Sequence, residues 1–364
     1  MHAFQELDDP PPSVSARVPS AVSVTVLRAA LEPFRRKRDA YALLLLSVDL
    51  CLLGLGQWLA VACNGFWPMS AGVLVTWVAI VRLFVIGHDA CHQALTSSAR
   101  LNRWIGRIAF SVSFTPFSLW RVGHNIVHHG FNNLRERDFI WEPITPEAYL
   151  AMSRSRRWLE RVYRGALGPG VYYVVEIWWK RLFFPNRRLM PTRRPEFLWD
   201  CVLGVVVGLG WVGAVLAYRH LHALPLLPGL FAACLVPLFL WNWTMGLIVY
   251  LHHTHPHVRW YRDRRDWQSG GPQLAATVHL IMPAFFDGLM HHIMQHPAHH
   301  LDSTVPLYHL AAAQRHLSLL GATYLRTPFT LSHCLRCVRI CKLYDYARQC
   351  WMPFPGGRVA TASR

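Results

Sequence analysis

The sequence predicts an all-α integral membrane protein: four transmembrane helices arranged as two hairpins, plus interfacial helices and a cytoplasmic histidine-rich site. One observation is the composition of the 364-residue chain, which is 53% hydrophobic and only 16% charged. Soluble domains carry about a quarter charged residues. The others are four long apolar stretches and the clustering of most of the 21 histidines. A disordered chain or an ordinary soluble domain is therefore excluded.

Four stretches can cross a bilayer, because a helix needs about 20 apolar residues to span the hydrocarbon layer. They are residues 41–63, 71–87, 198–218 and 226–251. Short linkers join the first two and the last two, which predicts two hairpins. Two further apolar stretches, 104–120 and 274–294, are interrupted by proline and carry polar side chains, so we expect helices that lie in the interface or pack against the bundle and do not span the membrane.

The distribution of arginine orients these spans. The linker 64–70 carries no charge and the linker 219–225 carries only Arg219, whereas the intervening segment 88–197 is rich in arginine. The positive-inside rule then places both termini and the middle segment in the cytoplasm, and we expect a bacterial inner-membrane protein. The net charge of +17 follows from this arrangement, so no nucleic-acid partner is expected.

The domain organisation follows from the same patterns. Residues 1–39 are expected to form a flexible N-terminal tail, because their beginning is polar and rich in proline. One membrane domain is expected over residues 40–345, and a C-terminal tail over 346–364. Residues 1–20 lack the apolar core of a cleavable signal peptide, so the first span is expected to target the chain.

Fifteen histidines fall into four clusters, and the predicted topology places every cluster at the cytoplasmic face. Neutral imidazole suits zinc, copper, iron and nickel, whereas the oxygen ligands of magnesium or calcium are scarce here. The clusters are His88 and His92; His124, His128 and His129; His252, His253, His255 and His257; and His279, His291, His292, His296, His299 and His300.

The spacing of these histidines adds geometry. His88 and His92 are four apart, as are His124 and His128, so an α-helix would place each pair on one face, where it can share a metal. A single helical stripe is expected from His292, His296, His299 and His300. One tetrahedral ion takes three or four protein ligands. Eight or more converging histidines therefore predict two metal ions.

The motifs GHDACH, GHNIVHH and HPAHH, with YLHHTHP at the end of the fourth span, resemble the membrane fatty acid desaturases, particularly the acyl-lipid omega-6 and omega-3 type. The similarity covers roughly residues 81–310. It includes the segment HHLDSTVPLYHL and the residues Trp120, Arg121, Asp138, Trp141 and Pro143 around the second motif. One departure is Ala90-Cys91, where the family often has Cys-Gly.

This resemblance implies a non-haem di-iron centre. Asp89 is a candidate to orient a ligating imidazole. A further ligand is expected from the end of the fourth span, where His253 and His255 remain alternatives. The ligands carried over from the resemblance are His88, His92, His124, His128, His129, His296, His299 and His300.

The activity that the resemblance implies is O2-dependent introduction of a cis double bond into an acyl-lipid or acyl-CoA, of the delta-12 or omega type. Two iron ions would be the cofactors and O2 would be the co-substrate. Membrane lipids would surround the protein. The sequence contains no haem-binding CxxCH and no ferredoxin-like cysteine set. We therefore expect electrons from an external ferredoxin or cytochrome.

Other functions remain as alternatives. Hydroxylases of acyl chains, alkanes or carotenoids share these histidine motifs. A membrane zinc protease with Asp89 as its base would leave the other motifs unexplained, and a metal transporter would place its ligands near the bilayer midplane. For a substrate channel the candidates are Trp241, Trp243, Phe285 and Phe286, although bilayer anchoring explains these four more simply.

Overall fold

A computed structural model describes residues 22–183 and 194–355. It is mostly helical, and in these residues four helices are long and apolar enough to cross a membrane. The predicted all-α fold, with four spanning helices in two hairpins, is thereby confirmed. The first to fourth spanning helices are Asp39–Ala62, Phe66–Cys91, Pro195–Leu221 and Leu226–His253.

Shorter helices and four strands complete the described chain. A parallel pair joins Val278–Ile281 to Leu325–Pro328, and an antiparallel pair joins Leu343–Asp345 to Cys350–Met352. Three segments are π-helical: Arg121–His128, Tyr173–Phe183 and, within the fourth spanning helix, Phe231–Leu235. The other helices are Val24–Ala30, Glu32–Arg35, Ala99–Ser111, Phe117–Trp120, His129–Phe131, Pro146–Ala151, Arg154–Tyr163, Gly168–Tyr172, Arg264–Ser269, Pro272–Ala275, Ala284–Leu289, His296–Leu301, Leu307–Leu319 and Leu331–Ile340.

The four spanning helices differ in what they contact. The first and third expose apolar side chains such as Trp58, which is 60% exposed, and Leu209, which is 70% exposed. Such surfaces suit a lipid environment. The second spanning helix is the central one, because every residue from Ala79 to Cys91 is buried. Its last turn therefore delivers His88 into the protein interior.

A buried ionic group ties the bundle to the chain that precedes the third histidine motif. Asp49 of the first spanning helix accepts from Arg82 of the second at 2.5 Å and contacts His291 Nε2 at 2.6 Å. Arg82 also donates to the carbonyl oxygen of Leu289. A buried charge requires such partners, because leaving it unpaired costs several kcal/mol.

Arg219 has a different place from the one expected. It was assigned to a linker, but it lies inside the third spanning helix and is completely buried. Its guanidinium donates to the carbonyl oxygens of Val61 and Cys63 at 3.0 and 3.3 Å, and to that of Pro225. The last carbonyls of a helix lack partners within that helix. Arg219 thus caps the first spanning helix.

Three expectations require correction. Residues 274–294 do not form one interfacial helix: the β-prone run Val278–Ile281 pairs as a strand, and a short helix, Ala284–Leu289, follows Pro283. The expected N-terminal tail contains the helix Val24–Ala30, whose Leu27 is fully buried. The expected C-terminal tail contains the strand Cys350–Met352. Residues 1–21 and 356–364 lie outside the described residues.

Candidate metal centre

Nine histidines converge on one end of the spanning helices and form two separate groups. Within each group one ring nitrogen per residue lies within 4.8 Å of all the others. We call the first the five-histidine group and the second the four-histidine group. The five-histidine group is His88, His92, His124, His129 and His299, and the four-histidine group is His128, His253, His296 and His300.

Four parts of the chain position these side chains. The last turn of the second spanning helix carries His88, and His92 follows as the C-cap of that helix. The fourth spanning helix ends at His253. The short helix His296–Leu301 contributes to both groups, since His296 and His300 belong to the four-histidine group and His299 to the five-histidine group.

The second motif is arranged by a π-helix. In Arg121–His128 the backbone bonds follow i to i+5 spacing, and the N–H of His129 donates to the carbonyl of His124. Residues five apart are therefore joined by a backbone hydrogen bond, about one turn from each other. His124 joins His129, with their Nε2 atoms 3.2 Å apart, whereas His128 enters the four-histidine group. The structure thus places His124 and His128 in different groups, although their spacing of four had indicated that they can share a metal.

The nitrogen atoms are spaced as metal ligands would be. At a metal–nitrogen distance of about 2.0–2.1 Å, neighbouring ligands at right angles lie about 3 Å apart. Five Nε2–Nε2 contacts have this length. They are His88–His124 at 2.8 Å, His124–His129 at 3.2 Å, His129–His299 at 3.1 Å, His128–His253 at 3.1 Å and His253–His296 at 2.8 Å. The residues present thus fit two metal ions.

Burial also favours the metal-binding form of the imidazoles. A ligating histidine must be neutral. Loss of hydration on burial, together with the neighbouring imidazoles, lowers the pKa of six side chains that lie outside the spanning helices well below the ordinary histidine value. These six are His92, His124, His129, His296, His299 and His300.

One carboxylate contacts each group on the side away from the converging nitrogens. Asp89 Oδ1 lies 3.2 Å from His88 Nδ1, the arrangement expected for this residue. Asp138 Oδ1 lies 3.0 Å from His128 Nδ1 and also accepts from the N–H of Ile140. Such carboxylates fix the ring orientation of metal-binding histidines. Sequence reasoning did not give Asp138 this role, although it quoted the residue in the motif resemblance.

Other histidines of the clusters lie outside both groups. His255, the alternative to His253, has its ring 5.3 Å from that of His257 and 5.4 Å from that of His333. His252 stacks on His296 at 3.9 Å. The structure thus brings His253, and not His255, to the converging nitrogens.

The expected helical stripe does not begin at His292. This residue and His291 adopt left-handed backbone angles, with φ of 59° and 51°, and the helix starts only at His296. His292 contacts Asp287 at 2.7 Å, while His291 contacts Asp49. Both histidines therefore hold the loop that leads into the third motif.

A small apolar cavity lies against the two groups. Its lining includes imidazoles from both groups, among them His88 and His128, together with apolar side chains such as Met245, Ile248 and Ile293. The cavity therefore presents imidazoles beside a hydrocarbon-like surface, a lining that suits an apolar ligand.

Three aromatic rings lie between this cavity and a second, larger and more open groove. Phe84 and Tyr173 line the cavity, and Trp241 lines the groove. The Trp241 ring lies 5.5 Å from the Phe84 ring and 6.0 Å from the Tyr173 ring. We call these three residues the aromatic partition.

The four channel candidates divide between two environments. Trp241 and Trp243 both line the groove. Phe285 and Phe286 are 73% and 50% exposed and line neither cavity. Bilayer anchoring therefore suits the two phenylalanines, and only Trp241 contacts the walls of the cavity beside the histidines.

A helical membrane protein with two buried imidazole groups beside an apolar cavity falls in the class of histidine-rich integral membrane proteins. Comparison with known proteins identifies the family, because residues 65–329 match fatty acid desaturases. The chain belongs to this family. It is an oxidoreductase, a fatty acid desaturase of the acyl-lipid type, as its motifs indicated.

Several relatives carry more specific names. An sn-1 oleoyl-lipid 12-desaturase from Anabaena variabilis is 27% identical over 329 residues, which cover 89% of this chain and 90% of the relative. The protein of the same name from Arthrospira platensis is 26% identical over 79% of both chains. A chloroplastic omega-6 fatty acid desaturase from Spinacia oleracea is 27% identical over 74% of this chain and 58% of its own length.

Proposed function

We propose that this desaturase binds two non-haem iron ions through the nine converging histidines and uses O2 to introduce a cis double bond into a lipid-linked acyl chain at the delta-12 or omega-6 position. The observation that carries the proposal is the pair of imidazole groups directly against an apolar cavity. The position and the lipid-linked substrate are supported by the names of the relatives, which act on oleoyl-lipids.

The number of ligands favours iron. Zinc sites in proteins are nearly always tetrahedral, so a group of five imidazoles exceeds what zinc takes, whereas imidazole also suits iron. When bound, the two irons supply the activation of dioxygen that removal of hydrogen from an unactivated methylene requires. Asp89 and Asp138 keep the ligating rings in orientation, so their Nε2 atoms remain directed at the metals.

The side chains of the cavity position the substrate. Met245 and Ile248 of the fourth spanning helix and Ile293 form apolar walls that hold the acyl chain beside the imidazoles. Trp120 stacks on His124 with the ring centroids 5.0 Å apart and closes another side. These walls keep water away from the reacting methylenes, which protects the oxidation from side reactions.

The aromatic partition limits how far the chain can pass beyond the metals. A membrane lipid keeps its headgroup at the interface, near the end of the bundle that carries the histidines. Its acyl chain then runs along the fourth spanning helix towards the bilayer interior and stops at Trp241. The position of Trp241 therefore fixes which methylenes, counted from the methyl end of the acyl chain, lie beside the metals.

We further propose that the metal-bearing end faces the cytoplasm of a bacterial inner membrane. The arginine-rich segments on that side of the four spans support this orientation. Electrons then come from a cytoplasmic ferredoxin or cytochrome.

The test is the fatty acid profile of a host that lacks polyunsaturated lipids and expresses this chain. A variant with His299→Ala and His300→Ala removes one ligand from each group and serves as control. Gas chromatography with mass spectrometry is expected to show a new double bond at the twelfth carbon that is absent from the control. Hydroxylated chains would assign the enzyme as a hydroxylase instead, and purified protein without iron would refute the proposal.

A further inference from the structure

Six arginines form a basic surface on two adjoining segments of the chain beside the metal centre. One loop follows the second histidine motif and the other follows the fourth spanning helix. They are joined by backbone hydrogen bonds, from Arg135 N to Tyr261 O at 2.9 Å and from Tyr261 N to Asn133 O at 3.0 Å. We call this surface the arginine ridge. It comprises Arg135, Arg137, Arg259, Arg262, Arg264 and Arg265.

Most of the charge on the arginine ridge is unneutralised. Its two loops also contain the acids Glu136, Asp138, Glu142, Asp263 and Asp266, but Asp138 is buried against His128. Among the described residues, the only ion pair formed by a ridge arginine is that of Arg135 with Glu136, at 3.6 Å. Arg137, Arg262, Arg264 and Arg265 are exposed. Such a surface attracts an acidic partner and accelerates its association.

The arginine ridge is connected to the ligands through short, ordered contacts. Arg137 directly precedes Asp138, which holds His128, and Asp138 also accepts from the N–H of Asn133. On the other loop the Trp267 indole donates to the carbonyl of Asn132 at 2.7 Å, three residues from His129. The positive-inside rule accounts for arginine on this side of the membrane, but not for these connections to the ligands.

His129 is also the place where the five-histidine group approaches solvent. It is partly exposed, and the next residue, Gly130, is exposed with open space around it. His88, by contrast, is 4% exposed and His299 is fully buried. A partner seated on the arginine ridge would therefore cover the accessible edge of the metal centre.

The reaction requires such a partner. Desaturation removes two hydrogens from the acyl chain, which supplies two of the four electrons that reduce O2 to two waters. The remaining two electrons, with two protons, must come from a donor. Because the metal centre lies inside the protein, a donor protein has to dock close to it.

We propose that the arginine ridge is the docking surface for a small acidic one-electron carrier protein, which delivers two electrons in succession through the edge at His129. This inference rests on the proposed function. The charge of the ridge selects the acidic carrier, and its contacts with Asp138 and Asn132 set the carrier beside the ligands.

The first test measures binding. The probe is a plant-type [2Fe–2S] ferredoxin, titrated against the full chain in lipid nanodiscs. The variant is Arg264→Glu with Arg265→Glu; both sites are in the first turn of the helix Arg264–Ser269, where acids are favourable. The matched control makes the same charge change on a separate helix, with Arg154→Glu and Arg157→Glu.

We expect the ridge variant to raise the Kd at least about tenfold and to lose most of its salt dependence, because charge complementarity supplies the attraction. The control variant should bind within about twofold of the unmodified chain. Equal weakening by both variants, or no binding of the probe to the unmodified chain, would overturn the assignment of this surface.

A second test separates this inference from the proposed function. Each iron-loaded protein is reduced anaerobically with dithionite, desalted and exposed to O2, so that the product of one turnover can be counted without a carrier. We expect equal product from the ridge variant and the unmodified chain, but slower turnover of the variant with ferredoxin. Absence of product from the chemically reduced unmodified chain would refute the proposed function, whereas equal ferredoxin-driven rates would refute the docking surface.

Discussion

Asp138→Asn is expected to weaken metal binding in the four-histidine group. In the unmodified protein the two carboxylate oxygens contact His128 Nδ1 at 3.0 and 3.1 Å and accept from the N–H groups of Asn133 and Ile140 at 2.9 and 3.0 Å. The asparagine amide keeps one oxygen as an acceptor and has an NH2 donor in place of the other oxygen. One buried N–H therefore loses its partner, at a cost of about 1–3 kcal/mol in the free energy of unfolding.

The effect on the metal follows from the lost orientation of His128. Removing the partner that orients a ligating imidazole typically costs about 10- to 100-fold in metal affinity, or roughly 1.4–2.7 kcal/mol. The assay is an anaerobic competition titration with an iron chelator, with the iron content followed by mass spectrometry. Only one of the two ions should be lost more readily.

Asp287→Asn is the matched control for this experiment. Asp287 pairs with His292 at 2.7 Å much as Asp138 pairs with His128, but His292 lies outside both histidine groups. We expect this variant to retain both ions at unmodified affinity. If Asp138→Asn kept both ions equally well, or if Asp287→Asn released iron to the same extent, the orienting role of Asp138 would be refuted.

Three further predictions concern other parts of the protein. His253→Ala should reduce the iron content from about two ions per chain to about one, whereas His255→Ala should retain both, as measured by elemental analysis. Trp241→Ala should open the cavity into the groove, so that the acyl chain slides deeper and the double bond forms farther from the methyl end. Trp243→Ala leaves the aromatic partition intact and should give the unmodified product by gas chromatography. An unshifted double bond in the Trp241→Ala product would show that Trp241 does not limit the depth of the acyl chain. Arg219→Met removes the cap of the first spanning helix and leaves its last carbonyls without a donor, so it should lower the free energy of unfolding by about 1–3 kcal/mol, detected as a lower apparent Tm in detergent. An unchanged Tm would show that water replaces the guanidinium.

The parts of the fold that depend on hydrophobicity alone were predictable from the sequence. Each spanning helix was found within a few residues of its ends, because a bilayer imposes a length and an apolar composition on any helix that crosses it. The strand Val278–Ile281 was missed, since a short apolar run is compatible with either a strand or a buried helix. Its partner, Leu325–Pro328, lies more than 40 residues away, beyond the reach of local patterns.

The candidate site was predictable in its membership but not in its arrangement. The clustering and spacing of the histidines identified the candidate ligands, and the resemblance limited the ligand at the end of the fourth span to His253 or His255. Only the folded chain separates these two, because the spanning helix ends at His253 and the next residues turn away. The role of Asp138 depends on a loop that returns to His128, which spacing along the chain does not encode.

The π-helical winding of Arg121–His128 has a consequence for how two bound metals would relate to each other. One short stretch of backbone supplies His124 and His129 to the five-histidine group and His128 to the four-histidine group. A change in the winding of this stretch would therefore disturb both candidate metal sites at once. Deleting one residue between His124 and His128 would alter the division of these histidines between the two groups while leaving every histidine in the chain. The spacing in GHNIVHH and the winding of its backbone together decide which group each histidine joins.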